Sequence, residues 1–146
     1  GQFDITIKSF GDLEIDQHHT IEDVAIALGE AFKSALGDRK NIERYSSNES
    51  LVMDETISNV SIDMASRTLL KMKTSKLREY VGDFPTEMFE HFFISFVNAL
   101  NFTCHIETKG ENSHHIVEAT FKSFTRALSK ALQRNNTNIA STKGSL

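Results

Sequence analysis

Residues 16–37 read DQHHTIEDVAIALGEAFKSALG, and residues 112–132 read NSHHIVEATFKSFTRALSKAL. Laid over each other 96 positions apart, the two stretches align residue by residue. His18 meets His114, His19 meets His115, and Glu22 meets Glu118. Ile21 meets Val117, Leu28 meets Phe124, Ala31 meets Ala127, Ala35 meets Ala131, and Leu36 meets Leu132. Working outward, the alternating stretch Phe3–Lys8 matches Phe102–Glu107 with a gap, so each copy reads strand, turn, His-His-x-x-Glu, amphipathic helix. Two copies of one supersecondary unit imply pseudo-symmetric halves that pack together. The expected fold is a layered α/β (α+β) sandwich of two β/α repeats, with mixed sheets and helices packed on one face. We expect one domain over residues 1–146, with the first repeat over about 1–80 and the second over about 81–146.

The remaining elements are read from the same periodicities. Residues 3–10 alternate as a half-buried strand, and Leu13-Glu14-Ile15-Asp16 reads as a short second one. A helix runs from Thr20 to Leu36 and stops at Gly37. Gly37-Asp38-Arg39-Lys40 and Ser46-Ser47-Asn48-Glu49-Ser50 read as polar connections. Residues 55–63 (Ile57, Val60, Ile62) read as a strand, and 67–73 as its partner. A helix with a Met88/Phe89/Phe92/Phe93/Phe96/Val97 stripe follows Pro85, the sole proline. That stripe is core packing. Residues 102–107 form a strand, and Val117, Phe121, Phe124, Leu128, Ala131 and Leu132 mark a third helix.

The composition narrows the function classes. The chain has 146 residues, 39% hydrophobic and 25% charged, which suits a globular domain. Twenty acids against 16 bases leave a net charge of −4, so nothing points to nucleic acid. One cysteine excludes a disulfide framework and a thiolate metal cluster. No apolar run approaches the ~18 residues of a membrane span, and no signal-peptide pattern opens the sequence. No membrane partner is expected, and the expected location is the cytoplasm, or a plastid if the source is a plant.

The chemistry gathers at the histidines. Residues four apart share a helix face, whereas neighbours point about 100° apart. His18 and Glu22 can therefore hold one ion while His19 looks elsewhere, and the same holds for His114 with Glu118 and for His115. If the repeats face each other, each spare histidine reaches the other half's ion, giving two related metal sites. Imidazole plus carboxylate without thiolate suits Mn, Fe, Zn, Co or Ni better than Ca or Mg. Acids behind the ligands should orient the imidazoles, with Asp16 and Asp23 the candidates at the first pair.

Asp16-Gln17-His18-His19-Thr20-Ile21-Glu22-Asp23 resembles the first signature of the imidazoleglycerol-phosphate dehydratase family, and Asn112-Ser113-His114-His115-Ile116-Val117-Glu118-Ala119 the second. Met53-Asp54-Glu55, Val81-Gly82-Asp83-Phe84, Glu90-His91-Phe92-Phe93, Phe121-Lys122 and Ser141-Thr142-Lys143-Gly144 are also similar, in the family's order. The resemblance implies an enzyme that removes water from imidazole glycerol phosphate to give imidazole acetol phosphate, a late step of histidine biosynthesis. It implies two Mn²⁺ ions, and trimers that assemble into a 24-subunit shell with active sites between subunits. One metal site would take His18, Glu22, His91 and His115. The other would take His19, His114, Glu118 and a histidine from an upstream segment. Arg44, Arg67, Lys122 and Ser141-Thr142-Lys143 would hold the phosphate, since guanidinium forks, ammonium and hydroxyl groups match its oxygens.

The resemblance also sets expectations about what differs. Family members carry several dozen residues before the position of Gly1, so one metal site is expected to find only three protein ligands here. Gln17, Ser66 (where glycine is usual) and Ala140 (where proline is usual) depart from the pattern. In the expected mechanism, electron density on an imidazolate expels the hydroxyl of the attached carbon through a diazafulvene-like intermediate. Glu22 and Glu118 double as catalytic proton carriers. Two other readings compete: a metal-bridged assembly domain that is catalytically incomplete, and a generic dinuclear hydrolase. His105, on a strand, is expected to be structural.

Overall fold

A computed structural model of the chain describes residues 3–134. Its elements are α1 (His18–Leu36), β1 (Tyr45–Met53), β2 (Thr56–Asp63), β3 (Leu69–Thr74), β4 (Tyr80–Val81), β5 (Phe84–Pro85), α2 (Glu87–Leu100), β6 (Thr103–Lys109) and α3 (Ser113–Ala131). The main sheet runs β1-β2-β6-β3, and β4 pairs with β5 apart from it. β1–β2 and β2–β6 are antiparallel, whereas β6–β3 is parallel, so the sheet is mixed as expected. The parallel pair is joined through α2, because parallel neighbours need a crossover rather than a hairpin.

Alternation explains the layering. Along β6, Cys104, Ile106 and Thr108 are buried, while His105 and Lys109 face out. Val60 and Ile62 of β2 point the same way. Above them lie Phe89, Phe93, Phe96, Val97 and Leu100 of α2, and Phe124, Ala127, Leu128 and Ala131 of α3. Each large apolar side chain buried there contributes roughly 1.5–3 kcal/mol. The phenylalanine stripe interlocks edge to face: Phe93 meets Phe124 at 5.0 Å and Phe96 meets Phe102 at 6.2 Å between centroids. Such pairs favour this geometry because ring edges are positive and faces negative.

Several expectations are corrected. Residues 3–10 form no strand: they pair with no strand among the described residues, and Ile5, Ile7 and Phe10 are exposed. Only Phe3 of this stretch joins the core, edge-on to Phe32 at 4.9 Å. Residues 13–15 make a turn closed by Ile15 N–H donating to the Asp12 carbonyl, not a strand. A strand signal without a ladder partner leaves extended chain. Conversely, the polar run Ser46–Ser50 lies inside β1. Its polarity suits an edge strand with much of its side-chain surface in solvent, and a register shift between Ser46 and Glu49 accommodates Asn48 at φ 54°. β3 pairs with β6, not with β2. Ile57 faces solvent, while Thr56 and Ser58 point inward, because Ile57 and Val60 are three apart and cannot share a strand face.

Candidate metal centre

Both His-His-x-x-Glu motifs occupy helix N-termini, and in each the backbone N–H of the first histidine is taken by a side chain two residues earlier. The Asp16 carboxylate accepts from His18 N–H at 2.8 Å, and Asn112 accepts from His114 N–H at 2.9 Å. Short polar side chains two residues ahead satisfy amides that the first helical turn leaves orphaned. The helices begin at His18 and Ser113, so the next turn stacks Glu22 over His18 and Glu118 over His114.

Tertiary packing then adds His91. Gly29 of α1 lies against Phe96, Ala99 and Leu100 of α2, and an added Cβ there would stand 2.6 Å from the Ala99 Cβ. Two turns earlier on both helices, Glu22 Oε1 meets His91 Nε2 at 3.0 Å. The helices thus run side by side in the same sense, and the glycine contact sets how near His91 comes. Glu22 Oε2 lies 3.8 Å from His18 Nε2, and the His18 and His91 rings are 4.8 Å apart. His18, Glu22 and His91 offer ligand atoms all within 4.8 Å of one another.

The second copy is arranged differently. His114 Nε2 lies 3.0 Å from Glu118 Oε2, and the other oxygen of Glu118 meets Lys122 Nζ at 2.6 Å. Lys122, with smaller help from His114, holds the Glu118 carboxyl below its ordinary value. His115 leaves that cluster, as adjacent helical residues must. Its Nδ1 is 2.8 Å from Glu55 Oε2 at the β1–β2 turn, and Asp54 is near its Nε2 at 3.8 Å. Within one chain, therefore, the structure unites three of the four ligands expected at one site but does not bring His115 to them. His19 also stands apart from His114, with its Nδ1 2.9 Å from Asp12 Oδ2. The imidazole-orienting acids are Asp12 and Glu55 rather than Asp16 and Asp23. Asp16 caps backbone instead, and Asp23 reaches His19 only through its charge. Asp12 raises the His19 pKa and Glu55 raises that of His115, in each case first through the hydrogen bond to the ring. Neither Asp12 nor Glu55 stands at a spacing that links it to a histidine, and Glu55 is marked only as part of Met53-Asp54-Glu55.

Between the helices is an apolar groove of about 380 Å³, lined by Thr20, Ile21 and Val24 of α1, Phe84, Phe92 of α2, and Val117 and Phe121 of α3. Ile21 and Val117 are repeat equivalents, so the two copies contribute matching positions to one groove.

The expected phosphate ligands split into two places. Arg44 Nε donates to Asp63 Oδ1 at 2.8 Å and its Nη2 to Oδ2 at 3.2 Å, with the guanidinium 4.5 Å from the Tyr45 ring centroid. Partial burial opposes ionisation of Asp63, but the Arg44 hydrogen bonds, the Ala65 amide and the charges of Arg44 and Arg67 outweigh it and lower its pKa. Arg44 N–H also donates to the Ala131 carbonyl, at the far end of α3 from Lys122, roughly 13 Å along the axis. Ser141, Thr142 and Lys143 lie outside the described residues. His105 is exposed on β6 and takes no part in these clusters.

The family profile for imidazoleglycerol-phosphate dehydratase matches residues 1–128. The chain belongs to that family. The Histidine biosynthesis bifunctional protein HisB of Legionella pneumophila (strain Philadelphia 1) is 48% identical over 146 residues, covering all of this chain and 41% of that protein. An imidazoleglycerol-phosphate dehydratase of Methylorubrum extorquens is 48% identical over 150 residues, covering all of this chain and 76% of that protein. The chain thus spans about two fifths of the length of its bifunctional relatives. Among solved structures, the dehydratase from Staphylococcus aureus superposes with a TM-score of 0.80 at 37% identity, covering 88% of this chain and 72% of that one. The Pyrococcus furiosus protein gives 0.74 at 32% identity, covering 89% and 72%. The layered α+β fold is the family's. The donor set fits the metal that the family resemblance implies. Two imidazoles and a carboxylate converge at His18, Glu22 and His91 without thiolate, a mixed nitrogen and oxygen donor set that suits a first-row divalent metal ion.

Proposed function

We propose that this chain dehydrates imidazole glycerol phosphate to imidazole acetol phosphate in histidine biosynthesis, using two Mn²⁺ ions per active site. The observation that carries the reading is the convergence of His18, Glu22 and His91 at the mouth of a helical pair, with the same motif repeated at α3. His18, Glu22, His91 and His115 would hold one ion, and His19, His114 and Glu118 the other. The ions would supply Lewis acidity that eases loss of the N–H proton from the substrate's imidazole, so that the ring can push electron density toward the leaving hydroxyl.

The chain's own residues do the rest. Glu118, already paired to His114 and Lys122, or Glu22, between His18 and His91, would accept the proton from the carbon next to the leaving hydroxyl. The other of the two, in its protonated form, would give its proton to the hydroxyl, which leaves as water, and the resulting enol becomes the ketone. Arg44, Arg67 and Lys122, with Ser141, Thr142 and Lys143, would receive the phosphate; guanidinium forks and ammonium groups are the donors that phosphate needs. Because the His18 cluster and His115 are separate within one chain, and Lys122 is far from Arg44, the sites would be completed between subunits of trimers in a 24-subunit shell.

The same separation favours a second reading, a metal-bridged assembly domain without turnover. One assay tells them apart: conversion of imidazole glycerol phosphate with added Mn²⁺, run beside metal analysis. Turnover with bound manganese supports the enzyme; metal bound without turnover supports the assembly domain.

A further inference from the structure

The dehydratase reading uses His115 as a ligand without saying which ring nitrogen is offered. Resting on that reading for the use of the ligand, we propose that Glu55 is a positioning residue that holds the proton of His115 on Nδ1 and leaves Nε2 as its only donor atom. Glu55 sits at the β1–β2 turn beside Asp54, whose φ of 47° closes the hairpin. One carboxylate oxygen, Oε1, accepts from Asn112 N–H at 2.8 Å, from Glu111 N–H at 3.2 Å and from the Thr56 hydroxyl at 2.9 Å. The other, Oε2, is left for His115 Nδ1 at 2.8 Å. An ionised carboxylate only accepts, so Nδ1 must carry the hydrogen, and a neutral ring then has its lone pair at Nε2 alone. Three donors from two chain segments pin Oε1, so the carboxylate cannot swing away without orphaning two backbone amides. His115 is also the most enclosed of the four paired histidines, with 26% of its side chain exposed.

The internal repeat supplies an independent parallel. His19, the equivalent of His115, also has its Nδ1 taken by a carboxylate, Asp12, at 2.9 Å. That acid comes from a different place in the chain, so the two copies engage the same ring nitrogen by separate routes. Carboxylates behind metal-bound imidazoles set tautomer and direction in this way.

Glu55→Gln separates positioning from mere capping. The amide oxygen of Gln still accepts from Asn112, Glu111 and Thr56, but its NH₂ can only donate to Nδ1, which forces the proton onto Nε2. Long-range ¹⁵N–¹H NMR of the histidine rings in the metal-free full chain, at a pH where the rings are neutral, reads this directly. We expect Nδ1–H at His115 in the parent protein and Nε2–H in Glu55→Gln. Mn²⁺ affinity should fall about 10- to 100-fold in the variant, with an unchanged circular-dichroism spectrum. Asp54→Asn, which removes the carboxylate 3.8 Å from Nε2, tests the other side of the ring. The Nδ1–H tautomer should persist there, because of the two acids only Glu55 lies within hydrogen-bond distance of His115. An Nε2–H ring in the parent, an unmoved tautomer in Glu55→Gln, or unchanged Mn²⁺ affinity overturns the proposal. Should Glu55→Gln not fold, the parent tautomer still decides. A parent protein with the Nδ1–H ring and metal bound but no turnover supports the positioning role and counts against the dehydratase reading instead.

Discussion

Glu22 carries two neighbours on one carboxylate, His91 at 3.0 Å and His18 at 3.8 Å, so replacing it tests the cluster most directly. Glu22→Gln should lower Mn²⁺ affinity by at least ~10-fold, measured by titration, with a parallel fall in turnover. Manganese binding and rate equal to the parent would sink the assignment. Asp63 makes a pH prediction. Its folded pKa lies below its unfolded value, so its contribution to stability is present above about pH 4 and is lost as pH falls through the lowered value. Asp63→Asn should therefore cost about 1–2 kcal/mol in urea unfolding near neutral pH, and the gap to the parent should close in acid. Cys104 is buried, and burial pushes its thiol up to about 12. It should resist a thiol reagent near pH 8 in the folded chain and react once the chain is unfolded in denaturant.

At the scale of elements, the close approach of α1 and α2 is what joins His91 to Glu22. Gly29→Ala places a methyl group against the Ala99 Cβ and 2.9 Å from the Phe96 carbonyl oxygen. Overpacking of this kind costs about 1–3 kcal/mol, and here the strain should also spread the metal cluster. Thermal unfolding and Mn²⁺ titration of the variant should both weaken; a lowered midpoint with parent-like Mn²⁺ affinity would show that the crossing does not set the site. Arg39 closes the other end of α2: its buried guanidinium donates to the carbonyls of Met64, Leu100 and Asn101. Between α3 and the sheet, Thr108 joins Ser58 and Thr120 by hydroxyl bonds of 2.8 Å, a buried polar seam on the face where the apolar pattern of β2 predicts Ile57 instead. The helices were legible because their apolar face repeats every three to four residues, and α3 also starts on a capping asparagine, Asn112. β1 was not, because an edge strand with a polar outer face looks like a loop until a neighbour supplies its ladder. The predicted strand at 3–10 failed for the converse reason: it has alternation without a partner.

For the whole molecule, the proposed metal-bridged assembly makes a simple demand. Stripping divalent ions with a chelator should shift the chain to a smaller species in size-exclusion chromatography, and adding Mn²⁺ back should restore the larger one. An elution volume unmoved by both treatments would count against bridging through the histidines. The sequence by itself determined the repeat, the helices, the ligand types and which residues share a helix turn, because these follow from spacing along one chain. Tertiary structure alone decided that His91 joins Glu22, that Asp12 and Glu55 take the second histidines, and that Arg44 is engaged by Asp63. Those contacts link residues seven to 69 positions apart, and only the crossing of helices and the pairing of strands brings such residues within hydrogen-bond reach.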